Sequence, residues 1–361
     1  MTESNEHRGI GAAFVTGATG LLGNNLVRLL VSRGVRVKAL VRSREKAVKQ
    51  FGDLPVEIVL GDVANVAGFA PQLAGSDALF HTAAYFRDSF KGGRHWKELH
   101  STNVLGTTEL LEHAYAAGIR RVVHTSSVAV LRGAPGQLTN ETMLRTAEHA
   151  DDYYLSKILT DRAVIAFLLK HPDLWACFVL PGWMIGPGDR GPTSSGQIIL
   201  DFVHRKMPGV PPATFSAVDA RDVAEAHLLA AEKGRSGERY LAAGRHITMA
   251  ELFEMLQRIT GVAAPRWRVP VPFLFALGAV GEMSARLTGK PAQVSLATAR
   301  LLVNERGRSH FDHAKTEREL GLRFRPFEQT LRDTVGWYET HGWIATKSGM
   351  NTPLRPSEVS R

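Results

Sequence analysis

Tyr153 and Lys157 stand four residues apart in the run Y-Y-L-S-K. On a helix that spacing puts both side chains on one face, with Cβ atoms about 6 Å apart. A free phenol, with a pKa of about 10, is a poor proton-transfer group at neutral pH. A neighbouring ammonium favours the phenolate and lowers that value. A phenol tuned in this way can pass a proton to or from an alcohol oxygen. The lysine can also hydrogen-bond the ribose hydroxyls of a nucleotide lying alongside. Tyr154 competes with Tyr153, but it lies three residues from Lys157. Alone, such a pair is common and is more often an ordinary surface contact. It gains weight from residues 122–130, V-V-H-T-S-S-V-A-V, a buried-looking strand that runs into Ser126 and Ser127. In a doubly wound sheet, ligands bind at the carboxyl ends of parallel strands. A serine there can donate a hydrogen bond to a substrate oxygen and stabilise developing charge.

A second constellation reads V-T-G-A-T-G-L-L-G from Val15 to Gly23. Gly17, Gly20 and Gly23 follow an apolar run and open an apolar-periodic one. A strand that turns sharply into a helix gathers backbone N–H groups and the positive helix end at one point, which attracts a pyrophosphate. Glycine is needed because a Cβ would block the approach of backbone to phosphate and of helix to strand. The triplet sits at the predicted strand–turn–helix junction that this fingerprint demands.

The elements that must position these groups alternate along the chain. Strands are expected at 12–16, 35–41, 56–60, 78–81, 121–126 and 175–180, and helices at 21–33, 43–51, 66–73, 95–117 and 153–169. Gly34 and Gly118 follow two of these helices as left-handed caps. Such alternation implies an α/β fold, a doubly wound parallel sheet (Rossmann fold) with helices on both faces. Residues 10–180 make up this dinucleotide-binding part, with returning segments from 215–245. After Pro181 the pattern loosens, and residues 181–344 read as a smaller, mostly helical substrate lobe. Residues 1–9 form a polar tail and 345–361 a flexible one.

The composition narrows the function classes. The chain has 361 residues, 44% hydrophobic and 22% charged, an ordinary globular balance with room for a sizeable core. The single cysteine, Cys177, allows no disulfide within the chain and no cysteine-based metal site, and a reducing, cytoplasmic compartment fits. The polar N-terminus does not look like a signal peptide. The net charge of +9 is spread along the chain without a Lys/Arg block, so no nucleic-acid partner is expected. The longest apolar stretch, residues 269–280, carries two prolines near its start. It is too short to span a bilayer, which needs about 20 residues. It reads as a buried helix, or as a membrane-surface contact or channel wall.

Seven motifs in order carry a resemblance: T-G-A-T-G-L-L-G, H-T-A-A (81–84), N-V-L-G-T (103–107), T-S-S (125–127), Y-Y-L-S-K, P-G-W-M-I-G-P-G-D (181–189) and V-D-A-R-D-V-A-E-A-H (218–227). Over roughly residues 10–340 the chain resembles the extended short-chain dehydrogenase/reductase family. Within it, the chain is most similar to the dihydroflavonol reductase-like branch, which includes the hopanoid-associated sugar epimerase group. The resemblance implies that Ser127, Tyr153 and Lys157 are the catalytic triad, with Asn103 helping to position the lysine. It implies that Gly17, Thr19, Gly20, Leu21, Leu22 and Gly23 form the pyrophosphate turn. Asp62 would meet the adenine amine with Val63 as the wall beside it, and His81 and Ala83 would line the cofactor at the fourth strand end. Pro181 and Met184 would meet the nicotinamide carboxamide through backbone groups. The family often dimerises through two long helices, here 95–117 and 153–169, so the resemblance allows a homodimer, while the residues themselves leave the oligomeric state open.

The cofactor follows from the end of the second strand, A-L-V-R-S-R. Sites that prefer NAD(H) carry an acid there, which binds the ribose hydroxyls and repels a 2′-phosphate. Arg42 stands in its place, with Ser43 and Arg44 beside it. The planar fork of arginine suits phosphate, so NADP(H) is expected over NAD(H). Stacking of Arg42 on the adenine is the alternative, and would not select between them. The expected activity is NADP(H)-dependent reduction of an aldehyde or ketone, with Tyr153 as proton donor. A nucleotide-sugar epimerase or dehydratase would use the same residues, with Arg205, Lys206 and Arg221 available for a substrate diphosphate. A non-catalytic cofactor sensor on this scaffold would tend to lose the tyrosine or the lysine. Tyr85, Phe86, Phe90, Trp96 and Trp183 point to a fairly apolar substrate.

Overall fold

The computed structural model describes residues 9–52, 54–86, 95–288 and 295–345. Phe90 and nearly all of the two expected tails lie outside these residues. The strands are β1 (Ala12–Thr16), β2 (Arg36–Val41), β3 (Val56–Leu60), β4 (Ala78–His81), β5 (Arg121–Thr125), β6 (Trp175–Pro181), β7 (Trp183–Ile185), β8 (Thr214–Asp219), β9 (Arg239–Ala242) and β10 (Arg245–Thr248). The helices are α1 (Leu21–Ser32), α2 (Arg44–Phe51), α3 (Trp96–Leu99), α4 (Gly106–Ala116), α5 (Asp152–Lys170), α6 (Ser194–Val203), α7 (Ala220–Lys233), α8 (Met249–Thr260), α9 (Val271–Thr288), α10 (Leu296–Asn304), α11 (Ala314–Leu320) and α12 (Phe327–Thr340).

Seven strands form one parallel sheet in the order β3-β2-β1-β4-β5-β6-β9. All five residues of β1 are buried, because helices cover both faces of a parallel sheet. Val15, Leu26, Leu30, Val37, Cys177 and Val223 pack on one face, and Phe14, Leu79, Leu110, Val122 and Phe178 on the other. A separate core gathers Ile199, Phe202, Leu252, Phe253, Leu331 and Tyr338. Beside it β8 pairs with β7 in parallel and with β10 in antiparallel register. Between these two visits to the second lobe, α7 packs on α1 and β9 extends the large sheet beyond β6.

Two expected helices differ in form. The segment 66–73 makes two short 3₁₀ turns, Val66–Gly68 and Ala70–Leu73, where Gly68 and Pro71 oppose a regular helix. The stretch 95–117 is helical, but α3 and α4 are joined by a π-helical segment, His100–Leu105. Such widened turns are frequent at functional sites. This one contains Asn103.

Candidate active site

The glycine turn joins β1 to α1. Gly17 has φ +66°, and a Cβ there would lie 2.8 Å from the backbone of Ala83. A Cβ on Gly23 would lie 2.2 Å from the Gly17 carbonyl oxygen. Gly20 is the N-cap of α1, with no side-chain cap and no acid in the first turn, so the positive helix end is not neutralised. The side chains of Leu21 and Leu22 are buried in the core, which leaves their backbone for a ligand, while Thr19 is half-buried at the tip. A cradle that exists only because two Cβ atoms are missing fits a pyrophosphate.

His81 links this turn to the π segment. Its Nδ1 lies 2.8 Å from Thr16 Oγ1 and its Nε2 lies 2.8 Å from Thr107 Oγ1. Thr107 donates its own proton to the Asn103 carbonyl at 2.6 Å. Thr107 must therefore accept from Nε2–H, which leaves Nδ1 as the acceptor for Thr16. Burial depresses the imidazole pKa to about 3, with Lys157 adding to the effect, so the ring stays neutral and keeps this tautomer. Thr16 Oγ1 in turn accepts from Ala83 N at 3.2 Å. Both ring nitrogens of His81 are thus engaged inside the protein.

The catalytic candidates meet at the carboxyl end of β5. Ser127 caps the short 3₁₀ turn Val128–Val130 by accepting from Ala129 N at 3.1 Å, and its side chain acts on the Tyr153 phenol. Ser126 faces the other way and donates to Asp161 Oδ2 at 2.9 Å, which leaves Ser127 as the serine on the tyrosine. Asp151 caps α5 by accepting from Tyr154 N at 2.8 Å. Burial pushes the Tyr153 phenol up, and Ser127 opposes that push. The ammonium expected to lower it is engaged elsewhere: Lys157 Nζ donates to the Thr125 carbonyl at 3.0 Å. Burial lowers Lys157 to about 8, against the raising effect of Asp161. Asn103 receives Tyr85 N on Oδ1 at 2.7 Å and donates through Nδ2 to Ser156 Oγ at 3.1 Å, the residue beside Lys157. The π turn thus fastens the loop after β4 to α5.

Residues 13–243 match the NAD dependent epimerase/dehydratase family. The chain belongs to that family. The extended short-chain dehydrogenase/reductase resemblance stands with it. One relative is the sterol demethylase protein B of Methylococcus capsulatus, 35% identical over 91% of this chain and 99% of that protein. Another is a dihydroflavonol 4-reductase-like protein of Synechocystis sp., 34% identical over 92% and 96%. The crystal structure of gox2253 aligns with TM-score 0.78 and 32% identity over 92% of this chain and 99% of that one.

The remaining positions expected of an epimerase/dehydratase family member lie around this centre. Arg42 follows β2, is 83% exposed, and stands 3.9 Å from Asp62. Asp62 Oδ1 accepts from Ala64 N at 3.0 Å. Val63 is buried, and its carbonyl lies 2.6 Å from where a Cβ of Gly106 would be. Pro181 closes β6, and Met184 sits in β7 with its carbonyl accepting from Ser195 Oγ. Of the aromatic set, Tyr85 and Phe86 pack with Tyr153 and Tyr154, the Phe86 ring meeting Tyr153 edge-on at 4.8 Å. Trp96 instead tilts against His100, and Trp183 packs against Phe215 in the second lobe.

Two groups escaped the sequence reading. Asp161 is one further turn along the face that carries Tyr153 and Lys157, so continuing the four-residue spacing would have found it. It is buried 3.7 Å from His124 Nε2 and 3.6 Å from Arg239 Nε, and burial raises it to about 6. Arg145 is buried too. It donates to the Ala129 carbonyl, forks onto Glu305 at 3.0 and 2.8 Å, and lies over the Tyr154 ring at 4.6 Å. No local pattern announces it, because Glu305 is 160 residues away.

Proposed function

We propose that the protein is an NADP(H)-dependent reductase that converts an apolar aldehyde or ketone to an alcohol. The observation that carries this reading is the gathering of Ser127 at the end of β5 with buried Tyr153 and, one turn further on, buried Lys157 held on the Thr125 carbonyl. When bound, the reduced nicotinamide supplies the hydride. Tyr153, held protonated by its burial, gives its proton to the carbonyl oxygen as that oxygen gains charge. Ser127 donates a hydrogen bond to the same oxygen. Lys157, held on the Thr125 carbonyl one turn from Tyr153, is the group for the ribose hydroxyls of the cofactor. Arg42 is the group for a 2′-phosphate, and its guanidinium is open to solvent at the end of β2.

The surroundings favour reduction of an apolar carbonyl over nucleotide-sugar chemistry. Tyr85, Phe86, Leu99 and Tyr154 surround Tyr153. Arg221, one of three candidates for a substrate diphosphate, is occupied by Asp219 at 2.6 Å and Asp333 at 2.7 Å. One relative is named for a sterol and another for a dihydroflavonol reductase, which fits a bulky apolar substrate. The test follows absorbance of NADPH against a panel of aldehydes, ketones and nucleotide sugars. Net oxidation with an apolar carbonyl is expected, and Tyr153→Phe should lower turnover by roughly 10²–10⁴-fold while NADPH affinity is kept. Isomerisation of a nucleotide sugar without net NADPH consumption would overturn the proposal in favour of an epimerase.

A further inference from the structure

Helix α9 turns an apolar stripe to solvent. Phe273, Ala276, Val280 and Met283 recur at helical spacing and are all exposed, Phe273 by 44% and Val280 and Met283 by 65% each. The opposite side of the helix, with Leu274 and Gly278, is the buried one. Glu282, the one acid of α9, is turned away from the stripe and accepts from Leu296 N at 3.0 Å. Trp267 extends the stripe, meeting Phe273 edge-on at 5.1 Å with 43% of its surface open. It is held rather than loose: its carbonyl accepts from Val210 N at 2.8 Å, and a Cβ on Gly209 would lie 2.6 Å from its ring.

Positive charge borders this apolar surface. Arg266 and Arg268 flank Trp267, both are exposed, and neither has an acidic partner among the described residues. Beside them is a hollow of about 300 Å³ whose wall includes Arg205, Arg266, Phe202, Met207 and Trp267. Arg205 has φ +58° where the chain leaves α6. Glycine is the usual choice in that conformation, and an arginine there keeps a cation at the rim.

We propose that the α9 stripe and the Trp267 rim dock this protein on an anionic lipid bilayer, with phosphate headgroups at Arg205, Arg266 and Arg268 and acyl chains against Phe273, Val280 and Met283. The charge decides between occupants. A second copy would bring arginines against arginines, whereas anionic lipid complements them. No helix among the described residues is long and apolar enough to cross a membrane, so α9 lies on the surface rather than spanning it. A tryptophan at the boundary of apolar and charged surface is the side chain suited to the headgroup level.

The proposal does not rest on the reductase reading, and its test uses no enzymatic readout. The full chain is mixed with vesicles of phosphatidylcholine alone or with 30% phosphatidylglycerol added, and bound protein is read by sedimentation and Trp fluorescence. Binding to the anionic vesicles, at least about tenfold tighter than to neutral ones and weakened by salt, is expected. Arg266→Glu with Arg268→Glu, and separately Phe273→Gln with Met283→Gln, should each reduce that binding about tenfold or more while thermal unfolding stays as in the parent. Absence of binding to anionic vesicles, or binding that both variants retain, would overturn the proposal. So would loss of self-association in both variants without any lipid binding, which would assign the stripe to a second copy.

Discussion

At Gly23 a methyl group would sit 2.2 Å from the Gly17 carbonyl oxygen, whereas at Arg42 the side chain is 83% exposed and Asp62 stands 3.9 Å away. Both positions face the same expected ligand. The pyrophosphate end is made of backbone, packed so closely that any side chain would displace it. The expected adenosine end presents side chains instead, and Arg42 there is held by little else. A backbone-built site is inseparable from the fold, because β1, α1 and the loop after β4 form its walls. A side-chain-built site can change its preference without disturbing the sheet. If Arg42 selects the cofactor, the cradle common to dinucleotide binders lies in the core and the selecting group on the rim.

Gly23→Ala attacks the first half and should have the largest effect. Overpacking against the Gly17 carbonyl is expected to cost ~3 kcal/mol of stability, with cofactor binding lost alongside. Thermal unfolding and NADPH titration measure both, and a variant that folds and binds normally would show that the cradle has slack. Arg42→Ala tests the second half. Stability should stay within about 0.5 kcal/mol, as for an exposed position. NADPH should bind roughly tenfold more weakly and NADH as before, since one charge-assisted contact is removed. Equal losses for both cofactors would point to stacking on the adenine. Asp161→Asn is the mildest change and probes the buried polar half. Lys157 titrates at about 8, and Asp161 raises it. Activity that needs the ammonium should therefore decline above about pH 8, and in the variant the decline should move to lower pH. An unmoved profile would separate Lys157 from Asp161.

The sheet was legible because period and punctuation agree. Apolar runs such as A-A-F-V-T are bounded by helix signals, and Gly34 and Gly118 close helices at φ +76° and +90°. The glycine turn was legible for the same reason: its steric demand is local. The π turn was not, since no residue type in His100–Leu105 announces a widened turn. Nor was the tether through His81, because a buried imidazole is read only from partners at Thr16 and Thr107 that the fold brings to it. The expectation that Lys157 tunes the phenol came from spacing alone. Spacing gave the shared face, but not the direction in which a long side chain points, which is toward Thr125. For α9 the apolar run was visible, but which side of it would be left uncovered depended on α10.

The return of the chain to its first sheet has a consequence for synthesis. Strand β9 and helix α7 come from residues 220–242, after β7 and β8 have already been laid into the second lobe. As the protein leaves the ribosome, the first six strands of the large sheet must wait for these late segments, with the edge of β6 and one side of α1 uncovered. The nucleotide half is therefore not a cassette that can be cut out after Pro181. Its boundary in the gene and its boundary in space are different lines.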